Sequence, residues 1–112
     1  MATKKLVLVT SGPANGATKA LEMATAMRRQ GREVAVCLLQ DGVLCVLHGN
    51  QTPAGAAAEQ TVRAGVGVYY LEDDLIARGF TRGDVWAEAK PLGYGDLVDM
   101  LVSGEQTVLG AF

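Results

Sequence analysis

Apolar residues in this chain come in short runs separated by polar breaks, and the runs alternate between strand and helix spacing. Lys5–Thr10, KLVLVT, is continuously apolar after its first residue, as a strand is when a parallel sheet buries it on both faces. Residues 11–16 are loop by composition. From Ala17 the positions Ala17, Ala20, Leu21, Ala24 and Met27 keep a helical spacing that stops at Arg28-Arg29-Gln30-Gly31. Basic residues in a last turn and a glycine just past it are helix C-terminal signals. Residues 33–39 form a second Val/Leu-rich run, which completes a βαβ unit with right-handed crossover as its default.

A polar Gln40-Asp41-Gly42 break follows, and then Val43, Leu44, Val46 and Leu47 resume at mixed spacing before His48-Gly49-Asn50. That piece reads as a strand-to-helix turn, where ligand chemistry sits in open α/β sheets. Residues 51–55 are expected to be a surface loop, 56–64 a helix closed by Gly65, and 66–71 a third strand. Glu72, Asp73 and Asp74 fall where a helix should begin, and carboxylates favour its positive end. Asp74 and Arg78 are spaced for an i,i+4 ion pair. Residues 81–84 form a turn, and 85–90 fit either a short helix or a strand. Asp96 is placed to cap a helix carrying Leu97, Val98, Leu101 and Val102 that ends at Ser103-Gly104, and 107–112 close the chain as a strand. Alternating strands and helices without repeat or linker predict a single domain over 1–112, an α/β three-layer α/β/α sandwich.

Composition narrows the function classes. Ten basic against twelve acidic residues give a net charge of -2, and no basic stretch exceeds Lys4-Lys5 or Arg28-Arg29. Binding to nucleic acid or an anionic membrane through a basic patch is therefore not expected. The N-terminus lacks a signal-peptide pattern, and no apolar run approaches membrane-spanning length. Two cysteines without an export signal are expected as free thiols in the cytoplasm.

Cys45 is the candidate reactive thiol. It follows the Asp41-Gly42 break where a helix would start, and His48 at i+3 would share its face if the segment is helical. Packing as a small apolar side chain among Leu44, Val46 and Leu47 is the simpler account of Cys45, and Cys37, inside the second strand run, is assigned to packing. One histidine and two cysteines make no recognised metal spacing, so no metal is expected. The loop after the first strand carries Ser11 and Asn15 where Gly-rich loops hold phosphates, and Asp41 ends the second strand where a ribose would lie. Neither GxGxxG nor the Walker pattern is present, so these three stay ligand-binding candidates with no assigned cofactor. Tyr69, Tyr70, Trp86 and Tyr94 gather in the back half, as core residues or as subunit contacts.

The residues also carry a family resemblance. The front half, KKLVLVTSGPANGATKALEMATAMRRQGREVAV, is similar to DsrE-type proteins, while LLQDGVLCVL, VYYLEDDLIARGF and GYGDLVDMLVSGEQTVLGAF resemble DsrH. The chain thus resembles the DsrE/DsrF/DsrH sulfur-relay family. The resemblance implies a five-stranded parallel sheet flanked by helices, homo-oligomers or hetero-oligomers with related subunits, and a sulfur-carrier protein as partner. It also implies a cysteine that accepts sulfane sulfur as a persulfide. DsrE-type members hold that cysteine just after the third strand, where this chain has Tyr70, Leu71 and Glu72. DsrH-type members hold one in the first helix region, and residues 17–27 contain none. A sulfurtransferase role would fall to Cys45 with His48, and the alternative is a non-catalytic binding or scaffold subunit.

Overall fold

The computed structural model describes residues 5–11, 14–49, 52–102 and 106–111, without the side chains of 5, 6, 14, 15 and 106–111. Its elements are β1 (Lys5–Thr10), α1 (Ala14–Arg29), β2 (Val34–Leu38), a 3-10 helix Gln40–Val46, α2 (Pro53–Arg63), β3 (Gly67–Leu71), α3 (Glu72–Ala77), a 3-10 turn Arg82–Asp84, β4 (Lys90–Leu92), α4 (Tyr94–Val102) and β5 (Gln106–Ala111). The strands form one sheet in the order β4-β3-β2-β1-β5, and all four neighbouring pairs are parallel. The five-stranded α/β sandwich expected from the sequence is therefore the observed architecture.

Layering follows from the strand order. The chain steps from β1 through β2 and β3 to β4 in one direction, then returns across the sheet to β5 on the far side of β1. Right-handed crossovers require helices on opposite faces for opposite steps. Leu8, Val36 and Leu38 accordingly pack with Leu21 and Ala24 of α1, Ala58 of α2 and Val43 and Cys45 of the Gln40–Val46 helix. On the other face Val7, Cys37 and Leu71 pack with Leu97 of α4. α1 and α2 lie close because alanines and threonines meet between them: Thr25 Oγ1 and Thr61 Oγ1 are 2.9 Å apart, and Thr61 Oγ1 lies 3.1 Å from the carbonyl oxygen of Leu21 in α1.

Several boundaries differ from the sequence expectation. The stretch expected as loop at 51–55 is helical from Pro53, because Thr52 caps the helix by accepting the Gly55 N–H (3.2 Å) and proline suits the first position. Residues 85–89 are neither helix nor strand. Val85 pairs with Leu47 in an antiparallel bridge, and Trp86 N–H donates to Val46 O at 3.0 Å. β4 takes Pro91 without losing a ladder bond where it is needed, because it is an edge strand. Gly31 and Gly65 close α1 and α2 with φ of 87° and 90°. The expected ends at Ser103-Gly104 and Phe112, and Gly12-Pro13 in the first loop, lie outside the described residues.

Candidate functional site at the carboxyl edge of the sheet

Strand ends position the site. Leu39, one residue past β2, donates its N–H to Thr10 O at the end of β1 (2.9 Å), and Gly42 N–H donates to Leu39 O (2.8 Å). The Gln40–Val46 helix, called here the β2 cap, therefore folds back over the ends of both strands. Gly42 is required there: a Cβ at this position would sit 2.9 Å from Thr10 O. Gln40 takes a left-handed φ of 48°, a conformation that costs a non-glycine residue about 1–2 kcal/mol. The cap holds it there by directing the Gln40 N–H onto Asp74 Oδ2 at 2.7 Å.

Asp41 and Ser11 meet the expectation of lying at strand ends, but Asp41 is already engaged. Arg78 donates from Nε to Asp41 Oδ1 (2.9 Å) and from a terminal nitrogen to the Asp74 carbonyl (3.0 Å). The i,i+4 side-chain pair expected between Asp74 and Arg78 is thus replaced, since Gln40 claims the Asp74 carboxylate and Asp41 claims the guanidinium. Sequence reading missed this clamp because Gln40, Asp41, Asp74 and Arg78 are joined only through tertiary structure. Ser11 is half-buried at the end of β1, and the Asn15 side chain lies outside the described residues.

Cys45 and His48 are not brought together. The cap helix ends at Val46, Leu47 turns extended (φ -70°, ψ 139°), and the expected shared helical face ends with it. His48 is exposed and anchored by its backbone N–H to Asp84 O at 2.9 Å. Among the described residues no hydrogen bond joins its imidazole to Cys45. Cys45 is 4% exposed and packs into the core under the cap. Burial pushes its thiol up to about 11, its own backbone offsetting a small part of the rise. Cys37, 1% exposed, lies under α4 with its Sγ 3.3 Å from Met100 Sδ.

Where DsrE-type proteins keep their cysteine, this chain ends β3 with buried Tyr70 and Leu71 and begins α3 with Glu72. Burial raises the Tyr70 phenol and the Glu72 charge adds to the rise, while Arg82 opposes it. Arg82 grips Glu72 with two nitrogens, one at 2.9 Å from Oε1, and this hydrogen bonding lowers the carboxyl below its ordinary value. The position is filled by an aromatic ring and a neutralised ion pair. A separate groove of about 550 Å³ runs between the outer faces of α1 and α2, walled by Glu22, Arg29, Ala56 and Gln60, and none of the candidate residues lines it.

A family model described as DsrH like protein matches residues 17–107. Protein TusB of Shigella flexneri is 35% identical over 81 residues, which cover 72% of this chain and 79% of that protein. Protein TusB of Erwinia tasmaniensis is 35% identical over 71 residues, covering 63% of this chain and 68% of the relative. In fold, the crystal structure of the ychN protein from E. coli superposes with a TM-score of 0.84 at 19% identity, over 98% of this chain and 100% of that one.

Proposed function

This chain belongs to the DsrH-like family within the DsrE/DsrF/DsrH sulfur-relay proteins, and from that premise we propose that it serves sulfur relay as a non-catalytic subunit of an oligomer with related chains. The cytoplasm, where its thiols stay reduced, is the compartment this role requires. The observation that carries the reading is the state of Cys45. At a thiol pKa of about 11 the thiolate fraction at neutral pH is on the order of one in ten thousand, and the sulfur is covered besides. Cys37 is more deeply enclosed, and neither position that carries a family cysteine holds one here.

In the competing reading Cys45 is the sulfur acceptor, with His48 as its base and Ser11, Asn15 and Asp41 holding the donor. Its thiolate would attack the outer sulfur of a donor persulfide, form the new S–S bond, and release the donor as a thiolate. That step requires the β2 cap to lift and the Asp41–Arg78 contact to break. Incubating the reduced chain with a small persulfide donor and weighing it distinguishes the two. The subunit reading expects no added sulfur under conditions that load a known carrier; a gain of one sulfur that disappears in Cys45→Ala establishes the carrier reading instead.

A further inference from the structure

The outer surface of the α1–α2 layer has a shape and a charge pattern that neither the sheet nor the β2 cap uses. α1 and α2 run side by side over the first face, joined at Thr25 and Thr61. Above that line of contact lies the groove of about 550 Å³, lined by Ala26, Ala56 and Ala57 and by the buried Thr25. Side chains this small let another backbone come near, and a trough between two helices admits the ridge of a third.

Glu22 and Arg29 border this trough on α1, two turns apart and on one side of the helix. Both are exposed, and neither has an ionic partner among the described residues. Their midpoint falls between Thr25 and Ala26. An α1 from a second copy, laid antiparallel in the trough about a two-fold axis through that midpoint, sets the partner's Arg29 against Glu22 and the partner's Glu22 against Arg29. A two-fold contact is self-complementary, so each pairing occurs twice. Antiparallel helices also bring opposite dipole ends together. Parallel packing would set carboxylate on carboxylate and guanidinium on guanidinium, and like charges across a contact select against it.

The area is sufficient. The sixteen residues of α1 give about 24 Å of length, and two helices side by side about 20 Å of width. Two such patches bury about 1,000 Å² together, the small end of the range for specific association.

We propose that the α1–α2 trough seats the α1 helix of a second copy of this chain, antiparallel across a two-fold axis, with Glu22 of each copy paired to the partner's Arg29. The contact stands apart from α4 and from the β2 cap, none of whose residues lines the trough. It does not depend on the subunit reading above.

The test is analytical ultracentrifugation of the full chain at rising concentration. A monomer–dimer equilibrium is expected, and added salt should weaken it. Glu22→Arg and Arg29→Glu should each weaken dimerisation at least about tenfold, because one substitution acts twice across the axis. The chain carrying both should dimerise like the parent, since the pairing is restored with its signs exchanged. Ala26→Trp, which fills the trough beside the axis, should abolish the dimer. All these side chains are exposed, so the melting temperature of the monomer should stay at the parental value. A chain that remains monomeric at millimolar concentration overturns the inference. So does a dimer indifferent to both single reversals, or a double reversal no stronger than either single one. A dimer broken by Val98→Lys and untouched by Ala26→Trp overturns it too, because the contact then lies on α4. The subunit reading stands or falls separately, on the persulfide mass measurement.

Discussion

The two faces of the sheet differ in how completely this chain covers them, and the thiols follow that difference. α1, α2 and the β2 cap close the first face so fully that Tyr70 of the sheet and Val43 and Cys45 on the cap's inner side are all buried. Among the described elements the second face has α4, whose Tyr94, Val98 and Val102 face solvent. The closed face carries the chain's stability and holds Cys45 as a packing group. The open face leaves apolar side chains of α4 in contact with water. A residue that attracts attention by its chemistry can thus serve packing.

The largest expected contrast is in stability. Tyr70→Ala empties the closed face and should cost about 3–5 kcal/mol in urea unfolding, whereas Val98→Ala on the open face should stay within about 0.5 kcal/mol. Equal costs would mean that the faces are not different in kind.

Alkaline pH probes Cys45 itself. The folded chain keeps the Cys45 proton up to about pH 11, while the unfolded chain loses it from about 9. The unfolded state therefore binds fewer protons in that window, and stability must fall as pH rises through it, by roughly 2–3 kcal/mol in all. Unfolding curves for the parent chain and Cys45→Ala at pH 8 and pH 11 should diverge by about that amount; parallel pH dependence would show the thiol to be solvated. In acid the sign reverses for Glu72, whose carboxyl is lowered by Arg82. Its contribution is complete above the ordinary carboxylate range and disappears as pH falls through its own lowered value, so Glu72→Gln should flatten the acid limb slightly.

Gly42→Ala should destabilise by about 1–3 kcal/mol, since its Cβ would press on Thr10 O at 2.9 Å and lift the cap from the strand ends. Arg78→Ala should cost little, under about 1 kcal/mol, because Asp41 and Arg78 are partly solvated. Its signature would be faster labelling of Cys45 rather than a lower melting temperature, as the clamp on the cap loosens.

Much of this fold was legible in the runs. β1 has the bounds its apolar run predicted, and β2 and β3 lie within the predicted ones. α2 began earlier than expected because Thr52 and Pro53 read as loop residues by composition and as start signals only once a helix is known to follow. β4 escaped the pattern because three residues containing Pro91 have no periodicity, and their pairing with β3 is tertiary. Strand order had no sequence signal either, and it places α4 on a face of its own. For the site, Asp41 and Cys45 lie just past β2, but the shared face of Cys45 and His48 depended on a helix that stops at Val46. The clamp of Gln40, Asp41, Asp74 and Arg78 joins residues 34 and 37 positions apart, beyond any local spacing rule.

The central claim is that Cys45 belongs to the core. Alkylation of the native chain at neutral pH, read by the mass of the Cys45 peptide against time, tests it directly. The account predicts labelling at least about a hundredfold slower than in the denatured chain, both alone and in the assembly. Labelling at the rate of a free thiol, in either state, would contradict it and return Cys45 to the role of sulfur acceptor.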